Sequence, residues 1–267
     1  MRQRKVGLAL SGGAARGLAH IGVLEVLEKE NIPIDMIAGT STGALVGALF
    51  AQGKTASEIK KLALDLSRKR LFSLVDLTLP HSGFIQGKKI RELLEHTIGS
   101  NTQFDDLKIP LACVATDIES GEEVVINHGS VLEGVRASIS IPVIFTVVKK
   151  EGRYLVDGGL TDPVPVDILR EMGADYVIAV NVIPDVKART KRAKEVKEPN
   201  IVNVIFQSLY ISTYSVVKAS LEEADIAIEP QVVAITYSDF HRAEECIAKG
   251  AIAARQSIPE IKNQLAI

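Results

Sequence analysis

Apolar runs that stop at glycines and give way to helical spacing open this chain twice in succession. Residues 6–10 form a short apolar run ending at Gly12-Gly13, after which Leu18, Ile21, Val23, Leu24 and Leu27 recur at helical intervals over 18–29. The arrangement repeats at once: 34–38 reads as strand, 39–43 as turn, and 44–51 as a helix of small apolar residues. Amphipathic helices are predicted over 57–69 and 88–98, and the irregular stretch 71–87 between them, with Pro80, Gly83 and Gly87, reads as a cover. Strands are predicted over 111–115, 124–126, 145–148, 154–156 and 176–182. Strands interleaved with helices imply an α/β fold whose mainly parallel sheet is covered by helices on both faces. Helical spacing over 201–221 sets Phe206, Tyr210 and Tyr214 four residues apart on one face, a stripe that suits a core, a dimer contact, a lid or a membrane contact. A helix interrupted at Pro259 closes the chain over 243–265.

Composition narrows the class. A chain of 267 residues with 46% hydrophobic content has enough apolar material for one α/β domain, 1–267, with a core over 6–230 and a helical extension over 240–265. The near-balance of 31 basic and 33 acidic residues, a formal charge of −2, provides no field for nucleic acid, and no nucleic-acid partner is expected. Cys113 and Cys246 lack C-x-x-C spacing and fit a reduced cytoplasm as small core residues. The N-terminal basic lead reaches glycines before signal-peptide length, and no apolar run approaches the roughly 18–20 residues that span a bilayer. Six basic residues over 187–197 read as a solvated connector or as a patch for anionic headgroups.

Three segments carry candidate chemistry. Gly39-Thr40-Ser41-Thr42-Gly43 lies between a predicted strand and a predicted helix, and its glycines remove the Cβ atoms that would clash where the chain turns sharply around an exposed serine. A serine needs a base. None of His20, His81, His96, His128 and His241 lies in a context that recommends it, although His241 follows Asp157 in Ser-Asp-His order. The other candidate base is Asp157, delivered by an apolar strand onto Gly158-Gly159, where open α/β sheets bind ligands. Gly12-Gly13-Ala14-Ala15-Arg16-Gly17 presents consecutive backbone N–H groups at a helix start, an anion-binding concavity suited to an oxyanion or to nucleotide phosphates. Its glycines do not fit G-x-G-x-x-G, and no Gly-Lys-Ser/Thr follows.

Together these three segments resemble the patatin-like phospholipase family in its compact bacterial form, over residues 6–230. Further matching stretches are 82–87, 109–111, 115–117, 136–142 and 162–166. The resemblance implies a Ser-Asp dyad without histidine, Ser41 as nucleophile and Asp157 as base, cleaving lipid or related acyl esters through an acyl-serine. It implies an oxyanion loop of Gly12, Gly13, Ala14, Arg16 and Gly17, with N–H groups from Gly13 and Ala14 and Arg16 shaping the loop. It calls for no metal and no cofactor. The partners it implies are an ester substrate and, for membrane lipids, peripheral contact of a cytoplasmic protein with the membrane surface; oligomeric state is left open. An acyl hydrolase or transferase acting on a soluble donor, or a regulatory homologue of low activity, would carry the same motifs. Two positions depart from the family. Ala14 stands where a third glycine is usual, and its methyl restricts φ and crowds an approaching carbonyl. Val143 stands where a small residue is common, and its bulk is expected to narrow the acyl pocket.

Overall fold

The computed structural model describes residues 4–68, 88–185 and 201–267. The expected cover over 71–87, with the matching stretch 82–87 and His81, lies outside them, as does the basic stretch 187–197.

The described residues build an eight-stranded mixed sheet. Strands β1 (Val6–Leu10), β2 (Met36–Thr40), β3 (Leu111–Asp117), β7 (Tyr176–Val180) and β8 (Ile226–Ile228) pair in parallel, whereas β4 (Glu123–Ile126), β5 (Val148–Lys150) and β6 (Arg153–Asp157) join antiparallel. The spatial order is β5-β6-β3-β2-β1-β7-β8, with β4 also on β3. Among the described residues nine α-helices flank it: α1 (Ala19–Lys29), α2 (Thr42–Ala51), α3 (Ala56–Arg68), α4 (Lys88–Thr97), α5 (Val131–Ser138), α6 (Val166–Glu171), α7 (Ile201–Ser212), α8 (Tyr214–Glu223) and α9 (Ala243–Leu265).

Every residue of β1, β2, β3 and β7 is buried, the pattern of strands covered on both faces. Alternation divides their side chains between two cores. Leu8, Leu10, Ile37, Cys113 and Ile178 pack with α1, α2, α3, α5 and α9. Ala9, Ala38, Ala112 and Ala179, all small, pack on the other side with α6, α7 and α8. The two-faced α/β arrangement read from the sequence is the one observed.

Particular elements differ from expectation in instructive ways. Strand β2 runs to Thr40 and α2 begins at Thr42, so the expected five-residue turn shrinks to Ser41 alone. The helix expected over 201–221 breaks at Thr213 into α7 and α8. Pro259, expected to interrupt the last helix, lies within a continuous α9. That helix packs into the main core, to which Ile247, Ala251, Ala254, Ile258 and Ile261 belong. The strand expected over 145–148 forms later, as β5. Short β8, α5 and α6 had no periodicity long enough to read.

Candidate active site

Strand β3 aligns the two ends that matter. Its Val114 and Ala115 pair on one edge with Val125 and Val124 of β4. On the opposite edge Val114 faces Thr40 of β2 and Ala115 faces Asp157 of β6. Strand β2 therefore stops where the antiparallel β6 arrives, and Ser41 meets Asp157 end to end.

Ser41 sits at φ 55°, ψ −121°, a sparsely populated conformation of the kind held in strained strand-to-helix turns. The flanking glycines make it sterically feasible. A Cβ at Gly43 would lie 2.1 Å from the Leu10 carbonyl oxygen, and one at Gly39 2.6 Å from the Ala44 nitrogen. The Ser41 N–H donates to Ser138 Oγ at 2.8 Å, and Thr40 Oγ1 donates to the Asp162 carbonyl at 2.8 Å.

The Ser41 hydroxyl donates to Asp157 Oδ2 at 2.6 Å, and both side chains are buried. Asp157 Oδ1 accepts the Gly159 N–H at 2.8 Å, and Thr116 Oγ1 donates to the Asp157 carbonyl at 3.2 Å. Gly158 must be glycine, since a Cβ there would lie 2.4 Å from the Val114 carbonyl oxygen. Burial pushes the Asp157 carboxyl up to about 6, against the lowering effect of its bonds from Ser41 and Gly159. It remains mostly ionised at pH 7 yet is a far better proton acceptor than an exposed aspartate.

Among the described residues no histidine touches this pair. His20 is fully buried, donates from Nε2 to the Ser11 carbonyl at 2.8 Å, and is lowered to about 4 by burial. His96, His128 and His241 are exposed.

The glycine loop lies beside the pair; a Cβ on Gly12 would be 3.5 Å from that of Ser41. Most of its amides are engaged. Gly12 N–H donates to the Pro163 carbonyl, Ala15 N–H to Tyr237 and Arg16 N–H to Gly13, each at 3.1 Å. Gly13 and Ala14 N–H have no acceptor among the described residues. Gly12 and Arg16 therefore frame the concavity rather than offer donors. Gly17 frames it too, because a Cβ there would come within 2.5 Å of the Thr42 methyl. Thr42 Oγ1 donates to the Ala14 carbonyl at 3.1 Å and ties loop to elbow. The buried Arg16 guanidinium donates from Nε to the Ile235 carbonyl at 2.6 Å and lies 4.1 Å over the Tyr237 ring.

Above the pair is a cavity of about 20 Å³, room for about one water molecule. Gly12, Ser41, Asp157, Ile141, Pro163 and Ile183 are among its walls, and Phe206, Leu209 and Tyr210 of α7 roof it. Phe206 and Tyr210 stack on Tyr237 at ring-centre distances of 4.6 and 5.0 Å. Tyr214 leaves the expected stripe, because the break at Thr213 places it in α8, hydrogen-bonded with Asp185. Val143 does not line the cavity; it is 49% exposed, at φ 69°. Among the described residues no group of three or more His, Cys, Asp or Glu could hold a metal ion.

A family model described as patatin-like phospholipase matches residues 8–170, which include the loop, the elbow and Asp157-Gly158-Gly159. The chain belongs to the patatin-like phospholipase family. Similar curated proteins include patatin-like phospholipase domain-containing protein 6 of Mus musculus, 37% identical over 182 residues, covering 66% of this chain and 13% of the relative. An uncharacterised NTE family protein of Mycobacterium tuberculosis is 36% identical over 178 residues, covering 67% and 49%. The lysophospholipase nte1 of Aspergillus fumigatus is 37% identical over 183 residues, covering 67% and 12%. The chain thus matches a minor part of the longer relatives and about half of the mycobacterial one. Among solved structures, VipD from Legionella pneumophila superposes with a TM-score of 0.56 at 16% identity, covering 97% of this chain and 67% of that one, which supports the patatin-like fold.

Several contacts of this patatin-like site are not specified by the sequence stretches that contain them. The family match contains Ser138, Thr116 and Asp162, yet their hydrogen-bond roles arise only from the folded chain. Tyr237 lies beyond the matched segment and joins the site through Arg16.

Proposed function

We propose that this chain is a serine acyl hydrolase that cleaves ester bonds of phospholipids or related lipids, with Ser41 as nucleophile and Asp157 as its base. The observation that carries the reading is the 2.6 Å hydrogen bond from a strained elbow serine to a buried, ionisable aspartate with no imidazole between them. The patatin-like phospholipase family supports lipid esters as the substrate class.

In this mechanism Asp157 accepts the Ser41 proton as Oγ attacks the ester carbonyl, and the carbonyl oxygen becomes an oxyanion. Gly13 and Ala14 N–H, which have no acceptor among the described residues, are the donors that would receive it, each worth roughly 3–4 kcal/mol in the transition state. As the C–O bond breaks, Asp157 returns its proton to the leaving alkoxide, leaving an acyl-serine. Water then repeats the sequence: Asp157 takes its proton, hydroxide adds to the acyl carbon, and Ser41 leaves as the protonated hydroxyl with a free fatty acid.

The test is a panel of phospholipids, lysophospholipids and p-nitrophenyl esters hydrolysed by wild type and Ser41→Ala, with fluorophosphonate labelling alongside. Hydrolysis that falls about 10³-fold or more in Ser41→Ala is expected. Turnover surviving in Ser41→Ala would remove the serine from the mechanism, and a folded wild type inert toward every ester would remove the activity.

A further inference from the structure

Helix α7 has two apolar faces, and only one of them is accounted for by packing. Its inner face supplies Phe206, Leu209 and Tyr210 to the roof over Ser41. Its outer side exposes Val204 at 42% and Ile211 at 62%, two turns apart, with Val216 of α8 beyond them. The other exposed residues along it are Gln207, Ser208, Ser212 and Ser215. Not one charged side chain occurs over residues 201–217. Solvated helix faces are ordinarily charged, and an uncharged face with exposed aliphatics suits the boundary of a lipid layer.

The cavity beneath limits what that face can be. At about 20 Å³ it lies far below the roughly 300–1,000 Å³ of sites that hold organic ligands. With α7 in place the cavity is too small for an acyl chain, and movement of α7 off the roof is the route that would make room beside Ser41. A second protein copy seated on α7 would hold the roof down and seal the serine. A lipid layer instead offers the apolar inner side chains an alternative to the cavity as they come away, and it is where the substrate lies. Apolar packing and the Phe206–Tyr237–Tyr210 ring stack are among the contacts that hold the helix, and a hydrocarbon environment can replace these.

We infer that the outer face of α7, centred on Val204 and Ile211, is the surface by which this protein docks on a lipid layer, so that the roof of the cavity is itself the membrane contact. The inference rests on the lipid-ester reading above for its choice of partner, but its test does not need turnover. The full chain carrying Ser41→Ala would be sedimented with vesicles of equimolar phosphatidylcholine and phosphatidylglycerol, with and without Val204→Asp and Ile211→Asp together. Two carboxylates on the docking face should reduce the vesicle-bound fraction at least about tenfold. Thermal unfolding by circular dichroism checks the fold, which exposed positions should leave unchanged. Ile252→Asp on α9, an aliphatic 53% exposed and outside the cavity lining, should bind as the parent does.

Binding that persists in the doubly substituted protein, that is absent from the parent, or that falls equally with Ile252→Asp would overturn the inference. So would a dimer in vesicle-free sedimentation that dissociates in the doubly substituted protein while vesicle binding stays intact, which would give the face to a second copy. Vesicle binding lost as expected in a protein whose wild type cleaves no ester would instead leave the docking surface standing and remove the hydrolase reading.

Discussion

Ser41 and Asp157 are bound together by opposing demands. The carboxylate must shed water to become basic, and burial raises its ordinary value of 3.8 to about 6. Its deprotonated form is the one that accepts the serine proton, so kcat/KM on a soluble ester should fall about tenfold per pH unit below about 6. A flat pH–rate profile between pH 5 and 7 would exclude Asp157 as the base. Because the folded-state value lies above the unfolded one, the stability contributed by this proton is complete below about pH 4 and is lost as pH rises through about 6. Asp157→Asn, neutral at every pH, should therefore abolish turnover while raising stability at pH 7 by about 1–3 kcal/mol, read from urea unfolding. Val143 poses a different residue-scale problem. A β-branched side chain at φ 69° is strained, and being half exposed it contributes little burial in return. Val143→Gly should raise stability by about 1 kcal/mol despite glycine's greater freedom in the unfolded chain. The consequence of Val143 is therefore backbone strain, where the sequence alone suggested a narrowed pocket.

Helices α1 and α9 show how strongly element packing depends on missing atoms. A Cβ on Gly22 would lie 1.9 Å from the Ile247 carbonyl oxygen, and one on Gly250 1.9 Å from that of Ala19. The two helices touch backbone to backbone at these points, and side chains would have to push them apart. Gly22→Ala should destabilise the protein by about 2 kcal/mol or more, although alanine favours a helix over glycine, and guanidinium unfolding would read the difference. An unchanged midpoint would mean that the crossing yields easily. Neither glycine drew notice in the sequence, since both interrupt ordinary helical patterns and their partners lie more than 200 residues away.

Across the whole molecule, buried ionisable groups set the response to pH. Asp162, held up to about 7 by burial first and by Glu123 second, joins Asp157 in favouring acid conditions, while His20, lowered to about 4, opposes them between about 4 and 6.5. Two carboxyls against one imidazole predict that stability declines as pH rises from about 4.5 to 7. Urea unfolding at pH 5 should give a higher midpoint than at pH 7.5, and Asp162→Asn should shrink the gap. Equal midpoints would show that the exposed charges balance the buried ones.

The local features of the chain were legible because they are local. Glycines on either side of a serine, an apolar run ending in Asp157-Gly158-Gly159, and an alternation of strand and helix periods each follow from a few neighbouring residues. They implied the two-faced α/β fold and marked the segments from which the site is built. What sequence could not contain is how β3 holds the end of β2 against the end of β6, because that register depends on hydrogen bonds between strands far apart in the chain, with Thr40 set against Val114 and Ala115 against Asp157. The same holds for which loop amides lack an acceptor among the described residues: Gly13 and Ala14 N–H do, whereas Pro163, Tyr237 and Gly13 carbonyls take those of Gly12, Ala15 and Arg16. The direction of α7 was likewise decided in three dimensions, since an aromatic stripe specifies a buried face but not what it covers. Here it covers Ser41.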